Sequence, residues 1–379
     1  MKLYLIAGEV SGDFIGSKLM KSLKELNSDV RFEGIGGDKM SEEGLKSLFP
    51  ISQIALMGFV EILPHIFRLK KLIKLTANDI VSKRPDALIT IDSPGFTYRV
   101  ASLVKKMAPD IKLIHAVAPS VWAYKPGRAQ KYANLYDHLL TFLPFEPSYF
   151  TKLGLDTHFI GHIALEQSFY KKSDSLKEEM KIQSGIKIIA ITPGSRKSEI
   201  TRHMPVIVKA LEALSEKITI KAIFVQPNEN YSKYISSFLT DAKFDYTFST
   251  DRLKSFAVSD CALAKSGTNT LEISASGTPM LVGYKMNSLT FFLLKLIIKV
   301  KYANLVNIIA GYELIPEYIQ SNFKEDNIAR ALNHILSDNN LAEIQVKESQ
   351  RILETIGLGW KEAPSVKAAR IITDILASK

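Results

Sequence analysis

A single cysteine, Cys261, stands in 379 residues. One thiol excludes an internal disulfide framework and a four-cysteine zinc site, and it fits a reducing, cytosolic compartment. Long apolar runs are missing too: no stretch reaches the roughly 18 uninterrupted apolar residues that a membrane-spanning helix needs. The opening residues carry Lys2, then a short apolar run into Glu9, without the charged leader, longer apolar core and cleavage site of a secretory signal. Both common nucleotide-loop signatures are absent. The first glycines, Gly8, Gly12 and Gly16, do not form G-x-G-x-x-G, and no Gly-Lys-Ser/Thr appears, which opposes an NAD-dependent dehydrogenase. No cluster of histidines and acids shows obvious metal-ligand spacing, so neither metal nor cofactor is expected. Internal repeats and low-complexity tracts are absent as well.

What is present begins with charge. The net charge of +10 asks for an anionic partner: nucleic acid, a phosphorylated substrate or a membrane surface. Between His65 and Arg84, six bases (Arg68, Lys70, Lys71, Lys74, Lys83 and Arg84) face one acid, Asp79; from Tyr284 to Tyr302 there are four lysines and no acid. Both segments are rich in aliphatics and phenylalanine. That mixture favours lipid over nucleic acid.

A chain of this length exceeds what one core usually serves. Apolar runs alternate with helical patterns in two series, which predicts an α/β protein of two doubly wound, Rossmann-like domains. The first series includes KLYLIAG, DALITID, IKLIHAV, HLLTFL and THFIGH; the second runs from KIIAITPGS through IKAIFVQP, YTFS and CALAKSGT to PMLVGYK. Helices are expected near 12–27, 97–107 and 201–215, and through most of 324–379. The polar stretch 166–186 reads as a linker plus a helix, placing domains at about 1–165 and 185–360. Such domains face a cleft with their strand C-terminal ends, where ligands bind.

Five stretches carry candidate chemistry. The opening loop, GEVSGD, is a capped turn or a polar loop for a hydroxyl-bearing substrate. In the first reading Ser11 or Asp13 is the cap; in the second Glu9 is an acceptor or base, beside Ser11 and Gly12. In IDSPGF, Asp92 ends a strand before a turn, suited either to an Asx-turn or to a general base. HAVAPSVWAYKPGR joins Trp122 and Tyr124 to Lys125 and Arg128, a pattern for ring stacking and anion contact or for core packing. In PGSRKSE, Gly194 permits a sharp turn, after which Ser195 and Arg196 offer a hydroxyl and a fork that matches a diphosphate. In KSGTNTLE, Ser266, Gly267 and Thr268 provide N–H donors at a helix start. Glu272 follows one turn later, within reach of a ribose diol or simply exposed.

This order of motifs, from AGEVSGD through MGFVEIL, IDSPGF, PSVWAY, LPFEP, FIGH, PGSR, SGTNTLE and VGYKM to NIIAG and PEYIQ, covers almost the whole chain. It resembles the inverting GT-B glycosyltransferases, specifically the lipid-A-disaccharide synthase family. The resemblance implies transfer of a 2,3-diacylglucosamine unit from UDP to the 6-hydroxyl of 2,3-diacylglucosamine 1-phosphate, giving a β-1,6 disaccharide 1-phosphate and UDP. It implies UDP in the C-terminal domain, with Arg196 on the diphosphate, Glu272 on the ribose, and Ser266, Gly267 and Thr268 adding phosphate contacts. Asn307, Glu317 and Gln320 match the family pattern near the donor. The acceptor would lie near Glu9, Ser11 and Asp92, and a last helix near 363–377 would cross back to the N-terminal domain. The sequence departs from the family pattern at Gly95, Ala116, Ala118 and Val306.

A sugar hydroxyl needs a base and UDP needs a positive clamp; Asp92 or Glu9 supplies the first, Arg196 and the 266–270 helix start the second. In GFVEILPHIFRLKKLIKL (58–75), Ile62, Ile66, Leu69 and Ile73 fall at helical spacing among bases. SLTFFLLKLIIKVKY (288–302) is similar, with Lys295 and Lys299 one turn apart. Both are expected to hold an anionic membrane surface, placing the chain peripherally on the inner face of the inner membrane; a homodimer is compatible with it. The rivals are a GT-B enzyme acting on a soluble UDP-sugar and a non-enzymatic anion-binding protein.

Overall fold

The run KLYLIA forms a strand, β1 (Lys2–Ala7), with both faces buried. Tyr4 and Ile6 enter one apolar cluster and Leu3, Leu5 and Ala7 the other, as the two-residue period of a strand dictates. A strand apolar on both sides must be covered on both sides, hence the parallel sheet with helices over each face.

The computed structural model describes residues 1–54, 66–170, 174–179, 182–183, 185–226 and 229–378. Two compact units result: Met1–Glu166 with Gly359–Lys379, and Gln167–Leu358. The first holds a six-stranded parallel sheet in the order β2-β1-β3-β4-β5-β6. Its further strands are β2 (Arg31–Ile35), β3 (Ala87–Ile91), β4 (Lys112–Ala116), β5 (His138–Thr141) and β6 (Asp156–Phe159). The second sheet runs β12-β11-β10-β7-β8-β9. It is built from β7 (Lys187–Thr192), β8 (Ile220–Val225), β9 (Asp245–Ser249), β10 (Cys261–Ala264), β11 (Met280–Tyr284) and β12 (Glu317–Ile319).

Each sheet reverses its strand order once. β1 lies between β2 and β3, with Ala7 opposite Ile91. β7 lies between β8 and β10, with Thr192 opposite Ala264. At such switch points the chains leave the sheet in opposite directions and their loops bracket a ligand site.

The helix Pro364–Ala377 belongs to the first unit. Its Ala368, Ala369 and Ile372 share a core cluster with Ile15, Leu19 and Leu23 of the helix Val10–Leu26. Polar contacts fix the register: Ser22 Oγ lies 2.8 Å from Ser365 Oγ, and Glu166 accepts the Ser365 hydroxyl at 2.7 Å and its N–H.

The expected lipid-facing stripe at 58–75 needs correction. Ile62 lies outside the described residues. On the helix Ile66–Lys83, Ile73 is buried and Leu69 packs against the core with it, because this amphipathic face covers the first sheet. Water meets the other side, where Phe67 is 85 % exposed and Leu75 48 %. Ile73→Ala is therefore expected to lower unfolding stability by about 2–4 kcal/mol in urea titrations, as a core truncation does. Phe67→Ser should stay within about 0.5 kcal/mol of the parent.

Candidate active site

The first unit gathers its candidate residues at the β1/β3 switch point. β1 ends into Gly8 and Glu9, and the helix Val10–Leu26 starts at once, with Glu9 at its N-cap making no side-chain cap. Gly8 admits no side chain, since a Cβ there would run into Cβ and Oγ of Ser93. That contact brings the loop after β1 against the loop after β3. Gly12 is buried against Ala7 and Ile91, whereas Ser11 is exposed. Neither Ser11 nor Asp13 caps its own helix. Asp13 is buried and accepts the N–H groups of Gly37 (2.7 Å), Lys39 (3.1 Å) and Met40 (3.1 Å), so it caps the short helix Asp38–Glu42 instead.

Asp92 and Ser93 both adopt left-handed backbone, with φ of 48°. Asp92 N–H donates to Ala116 O at 3.1 Å, and its carbonyl accepts Thr97 Oγ1 at 2.7 Å. Burial raises the Asp92 carboxyl above the usual range, while the Ser93 N–H and the Arg128 guanidinium pull the other way. Below it, Thr90 Oγ1 lies 2.7 Å from His115 Nδ1, and burial depresses His115 to about 3, which keeps it neutral. Val117 follows β4 with φ of 73°, a strained value for a β-branched residue.

Trp122 is anchored by a residue that motif reading passed over. Its Nε1 donates to Glu146 Oε1 at 3.1 Å, and Glu146 Oε2 accepts the N–H groups of Phe142 (3.1 Å) and Leu143 (3.0 Å). Burial pushes Glu146 up to about 7 against these donors.

In the second unit the loops after β7, β10, β11 and β12 are tied into one polar belt. Gly194 has φ of 143°, and a Cβ there would sit 2.7 Å from Glu199 Cβ. Glu199 is buried and accepts Ser195 N–H at 3.0 Å; Lys265 Nζ lies 3.2 Å and Arg196 3.9 Å from it. Burial alone would raise Glu199, but Lys265, the Ser195 N–H and Arg196 hold it below the usual range. Glu199 sits three residues after the Arg196 N-cap and reaches back to the N–H before it; with arginine rather than serine or threonine at the N-cap, no capping-box motif marks it in the sequence. His203 joins two loops: Nδ1–H donates to Pro193 O at 2.7 Å, and Nε2 accepts Lys285 N–H at 3.0 Å.

Ser266 Oγ donates to Ala303 O at 2.7 Å. Gly267 has φ of 155°, and Thr268 is the N-cap of the helix Asn269–Ala275. Glu272 is buried rather than exposed; its Oε1 accepts Arg252 at 2.9 Å and Gln167 Nε2 at 3.0 Å. Glu317 accepts Ala303 N–H and Asn304 N–H, each at 2.8 Å, and Asn307 Nδ2 at 3.0 Å. Asn307 is fully buried and also engages Ile315 O and the N–H groups of Leu314 and Ile315. Gln320, at φ of 54°, accepts Met286 N–H at 2.6 Å.

Among the described residues one grouping with metal-ligand chemistry emerges, hidden from sequence spacing because β5 supplies one member and β6 the other two. Paired strands β5 and β6 join His138, Asp156 and His158, whose carboxylate lies 2.9 Å and 3.3 Å from the two imidazoles. It stands toward the strand N-termini, away from the β1/β3 switch point of the same sheet.

Two doubly wound parallel sheets, each with its candidate loops at a switch point, define a GT-B-type glycosyltransferase scaffold. Solved structures share that fold. UDP-GlcNAc 2-epimerase from Neisseria meningitidis, bound to UDP-GlcNAc, aligns at TM-score 0.65 and 13 % identity over all of both chains. A glycosyltransferase from Rickettsia africae aligns at 0.59 and 14 % over 100 % of this chain and 97 % of the other. The family model described as lipid-A-disaccharide synthetase matches residues 3–371, and the chain belongs to that family. A protein of Rickettsia akari named lipid-A-disaccharide synthase is 54 % identical over all of this chain and 97 % of its own length. One of Rickettsia prowazekii with the same name is 50 % identical over 98 % of each.

Two outcomes follow from this geometry. Gly8→Ala should lower the thermal midpoint, and Ser93→Gly, which relieves both the clash and the left-handed strain, should restore part of it in the double variant. For Glu146, a native pKa above the unfolded one means that the unfolded chain loses its proton first as pH rises. Stability should fall between the usual carboxylate range and about 7. Glu146→Gln should flatten that fall in urea midpoints measured from pH 4 to 8.

Proposed function

We propose that the chain transfers a 2,3-diacylglucosamine unit from UDP to the 6-hydroxyl of 2,3-diacylglucosamine 1-phosphate, forming the β-1,6 disaccharide 1-phosphate and releasing UDP. Family membership supports glycosyl transfer. The observation that carries the assignment of roles is the unequal charge of the two switch points. The first presents Glu9 and Asp92 directly after β1 and β3; the second presents Arg196 and Lys265, two cations about Glu199, in the loops directly after β7 and β10.

On this reading the first unit takes the acceptor, with Ser11 and Gly12 at its edge, and Asp92 or Glu9 accepts the proton of the 6-hydroxyl. That oxygen attacks the anomeric carbon of the donor, the bond to the diphosphate breaks with inversion, and UDP departs with the electron pair. Arg196, Gly194, Ser195 and the Ser266–Gly267–Thr268 turn stabilise the leaving charge. Glu272 meets the ribose through Oε2, since Arg252 and Gln167 occupy Oε1. Asn307, Glu317 and Gln320 hold the loops that carry those contacts.

Peripheral attachment to an anionic inner-membrane surface, on its cytoplasmic side, fits the acylated substrates. The support is the segment at and after the helix Ser288–Lys295, where Phe292 is 61 % and Leu296 70 % exposed beside Lys295 and Lys299. It also separates this reading from an enzyme for a soluble UDP-sugar.

The test follows UDP release from UDP-diacylglucosamine and the monosaccharide 1-phosphate in detergent. One of Asp92→Ala and Glu9→Ala should lower kcat by about 10²–10⁴-fold, the usual worth of a general base. Full turnover in both would overturn the assignment. In co-sedimentation with phosphatidylglycerol vesicles, the double variant Phe292→Ser/Leu296→Ser should lose most binding.

A further inference from the structure

Arg128 has no part in the reaction as described, yet its surroundings are built for a ligand. It is half-buried at the start of the short helix Arg128–Ala133, and its N–H closes a turn on Lys125 O at 3.0 Å. The guanidinium donates to Tyr124 Oη at 3.1 Å and lies 5.8 Å and 6.0 Å from the Tyr124 and Tyr132 ring centroids. Among the described residues it forms no ion pair with a carboxylate. Tyr132 is 2 % exposed, and its buried hydroxyl faces the Arg128 guanidinium without completing a well-formed hydrogen bond to it or to any other described group. A half-buried cation without a carboxylate partner and a buried hydroxyl so weakly engaged together suit an anion with several acceptor oxygens.

Their location narrows the choice. The Tyr132 ring packs edge-on against His115 at 5.1 Å, and His115 holds Thr90, two residues before Asp92. Arg128 and Tyr132 both interact electrostatically with the Asp92 carboxylate without bonding to it. The cationic group thus lies within electrostatic reach of the Asp92 carboxylate without forming an ion pair with it among the described residues. The donor diphosphate is assigned to the other unit; the acceptor carries a phosphate of its own.

We propose that Arg128, with Tyr124 and Tyr132, forms the subsite for the phosphate monoester of the acceptor. This rests on the reading that the first unit takes the acceptor. Phosphate held at Arg128 and the 6-hydroxyl presented to Asp92 fix the sugar at two points, which makes the anomeric phosphate a recognition element rather than a bystander.

The experiment uses the full-length enzyme in detergent with two acceptors, the diacylglucosamine 1-phosphate and the same lipid as its methyl glycoside, which lacks phosphate. Arg128→Gln should raise KM for the phosphorylated acceptor by about 10–100-fold, the usual cost of losing a charge-assisted fork to phosphate. Donor KM should stay unchanged, and the preference for phosphate should shrink by the same factor. Arg128→Lys should recover part of it, and Tyr132→Phe, which keeps the ring, should cost several-fold. Titration calorimetry with the phosphorylated acceptor alone should show the same ranking. An equal fall in kcat for both acceptors, or a change confined to donor KM, would overturn the subsite while leaving the reaction intact. Arg128-dependent binding of the phosphorylated acceptor without any disaccharide product would uphold the subsite and overturn the reaction.

Discussion

A parallel sheet joins its strands by crossovers, and wherever the strand order reverses, two neighbouring strands send their chains to opposite faces. Between β1 and β3, and again between β7 and β10, that reversal opens the C-terminal edge of the sheet. The remaining features of both candidate sites depend on it. Gly8 allows Ser93 to close over the first opening, and Gly194 allows Glu199 to reach back beneath the second.

Keeping these openings polar costs backbone strain and burial of charge. Asp92, Ser93, Val117 and Lys125 in the first unit, and Gln320 in the second, hold left-handed backbone without being glycine. Such conformations cost about 1–3 kcal/mol each and persist only where neighbours over-determine them. Those neighbours are present: Ala116 and Thr97 at Asp92, Leu140 at Val117, Met286 at Gln320. Buried Glu199 is similarly sustained by Lys265 and Arg196.

Apolar runs disclosed the inner strands because a strand covered on both faces needs no polar residue. β2 and β12 escaped notice: both are outer strands, half-exposed, and Glu33–Gly34 interrupts one while the other spans only Glu317–Ile319. Asp92, Glu272 and Arg196 were legible because each follows a strand in a recognisable motif. The partners that set their chemistry were not: Arg252 on Glu272, Arg128 beside Asp92 and Lys265 on Glu199 come from other loops. Helical periodicity located the apolar stripe of Ile66–Lys83 but could not tell core from membrane, and packing turned Ile73 inward.

On the proposed reading the two switch points divide the labour, nucleotide at the second and acceptor at the first. Amide hydrogen exchange of the intact chain with and without UDP tests it most directly. UDP should slow exchange in the loops around Gly194–Arg196 and Lys265–Thr268 and leave Gly8–Asp13 unchanged. Protection by UDP alone at Gly8–Asp13, with none at Gly194–Arg196, would contradict it.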